Sequence, residues 1–591
     1  MAKLLLTAIN AKYIHTNPAV RGLCVRLQQS YPQWANEIGI AEYTINQRTD
    51  EILAQLYRQR PAVLGFSCYL WNISMVREIC TEYKKAAPDT ILFLGGPEVS
   101  YDASRQLEKL PEVSLVVCGE GEATLEALYP LLRQGQLLPE ALAKIPGIVY
   151  RDGEEIRVNP PASPVDLSRV PFSYTDEELQ SGRILYYEST RGCPFQCQYC
   201  LSSAEKGVRY RPLDQVYQDL DRFLAAKVPQ VKLVDRTFNC SKTHALSIWK
   251  YLHHHDNGVT NFHFEIAAEL LDEETLDFLS TVRPGLFQFE IGVQSTNPQT
   301  LEAIRRPADL EHLRRIVDTI HRGKNIHQHL DLIAGLPYED FDSFRRSFND
   351  VYAMAPQQLQ LGFLKLLKGT GLYRDAQKYG IVVREHAPYE VLFTRWIDFG
   401  ELLLLKDVAE MVEIYYNSGR FSTSIARLLP AFETPFDFYR ALAEYWREKG
   451  FFSVNHRNEQ YYELLWRFHQ DRMEPYKTIS SEQLKWILKY DLCLHQKPKR
   501  VEAAVAVDLY PQYREQVNGF FRDPQNIRDF LPDYQGMDPH QIQRICHGEV
   551  FPFHPEDPSM LPQTGLMVFD YHRRGWNGKA QSLWYPLAAV R

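Results

Sequence analysis

Short apolar runs alternate with segments of helical period through the first part of the chain. Residues 4–9, 62–67, 91–94 and 113–118 read as strands, and 20–29, 73–85, 104–110 and 123–132 as the helices between them. Strands that are apolar at nearly every position are buried on both faces, so this alternation predicts a doubly wound, Rossmann-like parallel sheet. Ligands of such sheets sit beyond the carboxyl ends of the strands. Glycines and short polar stretches gather at those points: Ser67-Cys68-Tyr69-Leu70-Trp71-Asn72, Gly95-Gly96-Pro97-Glu98 and Gly119-Glu120-Gly121-Glu122. Glycine there lets the backbone approach a flat or bulky ligand; tight strand-to-helix turns are the alternative. No G-x-G-x-x-G follows the first strand, so a nicotinamide fingerprint is absent.

A hairpin at 147–158 leads into a proline-rich stretch with Pro160, Pro161, Pro164 and Pro171, read as an extended linker. Strand-like and helical segments then alternate again. Strands are expected at 184–188, 232–235, 262–267, 286–293, 329–333 and 359–365, with helices at 243–254, 273–281, 297–304 and 341–353. Six such units predict a partial (β/α)6 version of the TIM-type parallel barrel, with its site at the C-terminal ends of the strands. The residues there are Asp235 to Asn239, Glu265 and Glu269, Glu290 to Ser295 and Asp331 to Pro337.

Beyond residue 381 the pattern turns mostly helical, at 402–409, 412–416, 438–448, 462–468 and 482–490, with one late strand at 565–571. Trp396, Trp446, Trp466, Trp486, Trp576 and Trp584 read as core residues, and His495, Lys497, Lys499 and Arg500 as a solvated turn. The expected division is 1–145, 146–180 (hairpin and linker), 181–380 and 381–591, in line with the several domains that 591 residues require.

Composition narrows the partners. The net charge of −8 gives no support for nucleic acid, and no apolar run approaches the roughly 20 residues that span a bilayer. Ten cysteines without a secretory leader point to reduced thiols in the cytoplasm. Three of them crowd one stretch, Cys193-Pro194-Phe195-Gln196-Cys197-Gln198-Tyr199-Cys200. A thiolate triad spaced C-x3-C-x2-C can hold three corners of a cube-shaped iron–sulfur cluster and leave one iron open to a ligand. Zinc is the alternative, but a structural zinc site takes four ligands, usually as two pairs, and no partner C-x2-C pair occurs.

With Thr190-Arg191-Gly192 before it and the aromatic Tyr199 within it, the triad resembles the signature of the radical S-adenosylmethionine (SAM) superfamily, C-x3-C-x-aromatic-C. That resemblance implies a [4Fe-4S] cluster held by Cys193, Cys197 and Cys200, its open iron chelating S-adenosylmethionine. It also implies an external one-electron donor of the flavodoxin or ferredoxin type. The barrel sets E-I-G-x-Q-S and D-L-I-x-G-L-P are similar to those of coproporphyrinogen-oxidase and elongator types. By that resemblance Tyr199, Asp235, Phe238, Glu265, Gln294, Ser295 and Gly335 lie about the S-adenosylmethionine. The family's G-G-E triplet is missing at 235–238, which leaves that role to Asp235 or to backbone carbonyls.

The N-terminal region resembles the cobalamin-binding domain found ahead of many such barrels, so Ser67, Tyr69, Trp71, Asn72, Gly95, Gly96, Pro97, Glu98, Gly119, Glu120, Gly121 and Glu122 would line the corrin and its tail. The D-x-H-x-x-G motif of other cobalamin domains is absent, and His15 is expected to stabilise its loop rather than bind cobalt. The architecture is similar to a subgroup whose C-terminal domain has no known function, which would cover the open side of the barrel. The implied activity is methylation of an unactivated carbon through a 5′-deoxyadenosyl radical. A non-methylating radical rearrangement or oxidation, and a non-catalytic cobalamin- or redox-binding module, remain alternatives. The second cysteine triad of methylthiotransferases is not present.

Overall fold

The computed structural model describes residues 3–204, 207–306, 308–473, 479–498, 502–575 and 578–589. Two compact units emerge, one of residues 1–341 and 362–398, the other of residues 342–361 and 399–591.

In the first unit, β1 (Leu4–Asn10), β2 (Ile38–Thr44), β3 (Val63–Ser67), β4 (Ile91–Gly95), β5 (Leu115–Val117), β6 (Ile148–Asp152) and β7 (Glu155–Val158) form one sheet in the order β2-β1-β3-β4-β5-β6-β7. The first five strands are parallel and the last two antiparallel. Every residue of β1 is buried. Leu5 and Ile9 enter the core on one face, Leu4, Leu6 and Ala8 that on the other, as the two-residue period of a strand requires. The chain reverses direction of winding between β1 and β3, which opens a crevice at their carboxyl ends. Two features differ from the sequence reading. The strand β2 and the helix Thr49–Gln59 went unpredicted, because β2 lies at the sheet edge and its burial is mixed. The hairpin β6–β7 is the outer edge of this sheet and not the start of a linker, so the sheet continues past residue 145.

The barrel sheet runs β8 (Leu185–Tyr187), β11 (Gln230–Leu233), β12 (Asn261–Ile266), β13 (Phe287–Gln294), β14 (His327–Ala334) and β15 (Gln358–Phe363) in that spatial order. Between β8 and β11 stands a hairpin of β9 (Thr190–Cys193) and β10 (Gly207–Tyr210) that the apolar pattern did not show. Trp249, 1% exposed on the helix Lys242–His254, packs against Phe238, Phe264, Phe287 and Phe289 and locks that helix to β12 and β13. The hairpin β16 (Val382–Val383) and β17 (Val391–Phe393) completes this unit.

The second unit is mainly helical, with one antiparallel sheet of β18 (Cys546–Phe551), β19 (Gly565–Arg574) and β20 (Ala580–Pro586). Only β19 was expected; β18 and β20 are short and half polar. Trp446 is a core residue, 1% exposed, while Trp576, Lys499 and Arg500 lie outside the described residues. His495 is not a solvated side chain, since its Nε2 is 3.1 Å from the Gly419 carbonyl and burial pushes its pKa down to about 4.

Replacing Trp249 with Ala removes the largest side chain of the barrel's aromatic cluster and is expected to cost about 3–5 kcal/mol. Urea unfolding followed by circular dichroism will read this as an earlier transition.

Candidate active site

The carboxyl ends of β1, β3, β4 and β5, residues 170–174 and the mouth of the barrel enclose a cavity of about 890 Å3 within the first unit. Ser67, Tyr69, Trp71, Gly95, Gly96, Pro97, Gly119, Glu120, Gly121 and Glu122 line it. Tyr69 and Trp71 stack with ring centroids 4.4 Å apart, and the indole N–H donates to the Ile9 carbonyl at 3.2 Å. Asn72 and Glu98 do not line it. The Asn72 amide donates to Ile9 and Ser67 carbonyls at 3.0 and 2.9 Å and accepts from the Tyr69 N–H at 2.8 Å, so it braces the loop. Glu98 takes the Tyr389 hydroxyl at 2.5 Å and the Lys368 ammonium at 3.3 Å, which ties the helix Pro97–Ser100 to the segment after the barrel. A carboxylate beside a glycine pair reads in the sequence as a ligand contact, because linear order does not say which way the first turn of a helix faces.

The prolines at 160–171 do mark an extended stretch, but its end is part of the site: Val170, Pro171, Phe172, Ser173 and Tyr174 form one wall of the cavity. His15 also lines it, with Nδ1 2.6 Å from the Tyr186 hydroxyl. Burial, with Lys12, Lys232 and Arg183 nearby, pushes the imidazole pKa down, so it is neutral at physiological pH.

The cysteine loop hangs from the hairpin β9–β10, whose register pairs Cys193 with Gly207 and Gly192 with Val208. Gly192 has φ +101°, and a Cβ there would lie 2.2 Å from the Gly207 carbonyl oxygen, so only glycine fits. Gly192 before the triad and Leu201 after it both line the cavity. Cys193 Sγ is 3.5 Å from the Thr237 hydroxyl. Cys197 is buried, with Arg306 Nη1 3.7 Å from its Sγ, while Arg306 Nη2 donates to the Gly292 carbonyl. Burial pushes the Cys197 thiol up and the guanidinium opposes it, the setting a buried thiolate needs. Tyr199 is half-buried beside Cys197 and Arg306. Arg191 pairs with Glu188 at 2.7 Å, Glu122 at 2.9 Å and Glu120 at 3.5 Å, and Arg209 also pairs with Glu120. Glu120 and Glu122 therefore anchor the cysteine strand to the loop after β5 as well as lining the cavity.

The barrel residues divide by direction. Asp235 is fully buried and accepts from the Ser189 N–H at 3.2 Å and from the Ser189 and Thr190 hydroxyls at 2.6 Å each. Burial outweighs these bonds and pushes its pKa up to about 6. Its carboxylate braces the cysteine hairpin. Phe238 is likewise a core residue, 4.4 Å from the Phe264 ring. Gly335, at φ +87°, backs against Val391, whose Cγ1 would stand 2.7 Å from a Cβ. The Ser295 hydroxyl donates to Glu339 at 2.9 Å and accepts from the Asn297 N–H at 3.0 Å. Gln294 ends β13 in the left-handed region, φ +72°, with its amide folded over Gly292 and its Oε1 buried without a hydrogen bond.

Inside the barrel the strands bring together charges that the sequence showed only singly. Lys232 Nζ lies 2.9 Å from Glu290 and 3.9 Å from Glu265, and His263 Nε2 is 2.9 Å from the same Glu290 oxygen. His329 Nε2 and Asp331 Oδ1 are 2.9 Å apart. Burial works against ionisation of Glu290, but His263 and Lys232 outweigh it and hold its carboxyl well below the usual range. Glu265 goes the other way: burial, with Glu290 adding to it, pushes it up to about 7. Arg306, Lys232 and His263 carry no motif in the sequence, and Arg191 enters it only as part of the Thr190-Arg191-Gly192 lead into the triad. An arginine twelve residues past the strand-ending Gln294 is the only linear signal that Arg306 offers.

Comparison with known proteins agrees with this layout. Residues 7–129 match the B12 binding domain family, 187–351 the radical SAM superfamily and 377–569 a family of unknown function, DUF4080. The cobalamin-dependent radical SAM methyltransferase TokK of Streptomyces tokunonensis is 28% identical over 307 residues, 48% of this chain and 44% of that protein. The anaerobic magnesium-protoporphyrin IX monomethyl ester cyclase of Rubrivivax gelatinosus is 21% identical over 311 residues, 51% of this chain and 55% of that one. The chain thus spans about half the length of these curated relatives. The cobalamin-dependent S-adenosylmethionine radical enzyme OxsB, solved with aqua-cobalamin and S-adenosylmethionine, shares the fold at a TM-score of 0.55, with 16% identity, over 83% of this chain and 78% of that one.

Because Glu265 keeps its proton to about pH 7 when folded and only to about 4.5 when unfolded, stability falls as pH rises through that window. Glu265→Gln has no proton to lose, so its melting temperature is expected to gain on wild type between pH 5 and about 7.5 and to hold that gain above. Thermal melts across pH will check the sign.

Proposed function

The chain combines a cobalamin-binding domain, a radical SAM domain and a DUF4080 domain, and on that footing we propose that it is a cobalamin-dependent radical SAM methyltransferase acting on an unactivated carbon. The observation that carries the reading is a shared wall: residues flanking the cysteine triad line the same cavity as the loops after β3, β4 and β5. A cluster held by the triad and a cobalamin held on the sheet would then face one shared cavity, within reach of the same substrate.

The donor sets fit the implied groups. Three cysteines on one loop, with Arg306 beside Cys197, suit a [4Fe-4S] cluster with one open iron. The cavity wall at Gly119 is open, with no atom within 4 Å of a Cβ position, and 890 Å3 is the scale of a large-ligand pocket, which suits cobalamin. When bound, the cluster and S-adenosylmethionine supply a 5′-deoxyadenosyl radical, and cobalamin supplies the methyl group. The chain's own part is positioning. Arg191 with Glu188, Glu120 and Glu122 keeps the cysteine strand against the sheet. Asp235 sets the Ser189–Thr190 turn, Gln294 offers an unsatisfied amide to S-adenosylmethionine, and Tyr69, Trp71, Phe172 and Tyr174 exclude water.

Among the described residues no helix is long and apolar enough to cross a membrane. The ten cysteines form no disulfide, which accords with a cytoplasmic enzyme served by a flavodoxin- or ferredoxin-type donor. Radical chemistry without methyl transfer is a second reading, favoured by the likeness to the cyclase.

After anaerobic reconstitution, Cys197→Ala is expected to lose 5′-deoxyadenosine formation; retained cleavage sinks the cluster assignment. Wild-type turnover that yields 5′-deoxyadenosine without S-adenosylhomocysteine selects the second reading. Gly22, on the helix Pro18–Ser30, lines the cavity with Ser173 Oγ 3.5 Å from its Cβ position. Gly22→Leu is expected to abolish the visible cobalamin spectrum while leaving the iron–sulfur absorbance in place.

A further inference from the structure

Cys493, His547 and Glu549 in the second unit bring a thiol sulfur, an imidazole nitrogen and a carboxylate oxygen within 4.8 Å of one another. The strand β18 places His547 and Glu549 two residues apart on one face, and the helix Ser481–His495 places Lys489 and Cys493 one turn apart. His547 Nε2 is 2.9 Å from Glu549 Oε1. Cys493 is fully buried, and its thiol makes no hydrogen bond among the described residues. His547 and Glu549 line a cavity of about 560 Å3 together with Lys489, Asp508 and Tyr510, while Cys493 is not among the residues that line it.

We propose that Cys493, His547 and Glu549 form a zinc site whose fourth position opens onto this cavity, a metal centre independent of the cysteine loop. The donor set narrows the choice of ion. A thiolate with an imidazole and a single carboxylate suits zinc and excludes magnesium and calcium, which take oxygen ligands. Glu549 keeps one oxygen for the metal, because Lys489 Nζ holds the other, Oε2, at 2.6 Å. Lys489 is itself fixed by the Val507 carbonyl at 2.7 Å, so it orients the carboxylate as the outer partners of metal ligands do. On zinc binding the Cys493 thiol gives up its proton to solvent and the sulfur–metal bond replaces the S–H bond. Three protein donors and a cavity-facing vacancy give the arrangement of an open zinc site, able to take an oxygen or sulfur ligand of small size. The site does not rest on the function proposed above.

The test uses the full-length chain equilibrated with zinc and passed over a desalting column, with zinc counted by mass spectrometry. Wild type is expected to retain about one zinc per chain more than His547→Ala, since one site is lost. Lys489→Met is expected to weaken zinc binding about 10–100-fold in competition with a chromophoric chelator. His547 lies at a cavity wall, so its Ala variant can be checked for folding by its zinc-free melting temperature. Zinc should raise the melting temperature of wild type and add less to His547→Ala. Equal zinc retention by wild type and His547→Ala, or no zinc on wild type, overturns the proposal and leaves a buried Lys489–Glu549–His547 ion pair.

Discussion

The ion-pair cluster about Arg191 is the constraint on which the first unit's site depends. One guanidinium, 19% exposed, meets carboxylates from its own strand and from the loop after β5. Removing one partner from a half-buried cluster of this kind leaves the remaining charges partly desolvated and incompletely paired, so it costs more than breaking an exposed pair. The consequence is geometric. The strand that delivers the cysteines cannot separate from the sheet that walls the cavity, so the two halves of the site keep one spacing. Asp235 completes the clamp from beneath by taking three hydrogen bonds from the Ser189–Thr190 turn.

The barrel interior shows the same economy of charge. Lys232, His263 and Glu290 neutralise one another at 2.9 Å, which lets Glu265 remain protonated near neutrality a few ångströms away. Two carboxylates on neighbouring strands, paired in register, thus end in opposite states: burial and the Glu290 charge raise Glu265, while Glu290 has the closer contacts to Lys232 and His263.

Several residues read from the sequence as ligand contacts turn out to be the supports of that site. Asn72 braces its loop, Glu98 holds Lys368 and Tyr389, Phe238 joins an aromatic core and Gly335 makes room for Val391. All four stand in loops that the strand pattern located, but the side chains of Asn72, Glu98 and Phe238 serve other contacts, and Gly335 leaves its space to Val391. Conversely Arg306, Phe172 and Tyr174 sit at the site from segments without a motif. Whether a strand-end residue faces the cavity or the core depends on a single step of the backbone, and linear spacing does not encode it.

By itself the sequence determined the alternating architecture, the cysteine triad and the glycine-bearing loops, because burial on both faces of a strand, metal-ligand spacing and turn chemistry are local and leave marks in composition. The tertiary structure alone decided which charges meet. Arg191 reaches Glu120 and Glu122 across some seventy residues, Arg306 reaches Cys197 across more than a hundred, and Glu549 meets Lys489 from a strand that no periodicity announced. Electrostatic pairing acts through space at contact distance, so its partners are chosen by the fold and not by their order along the chain.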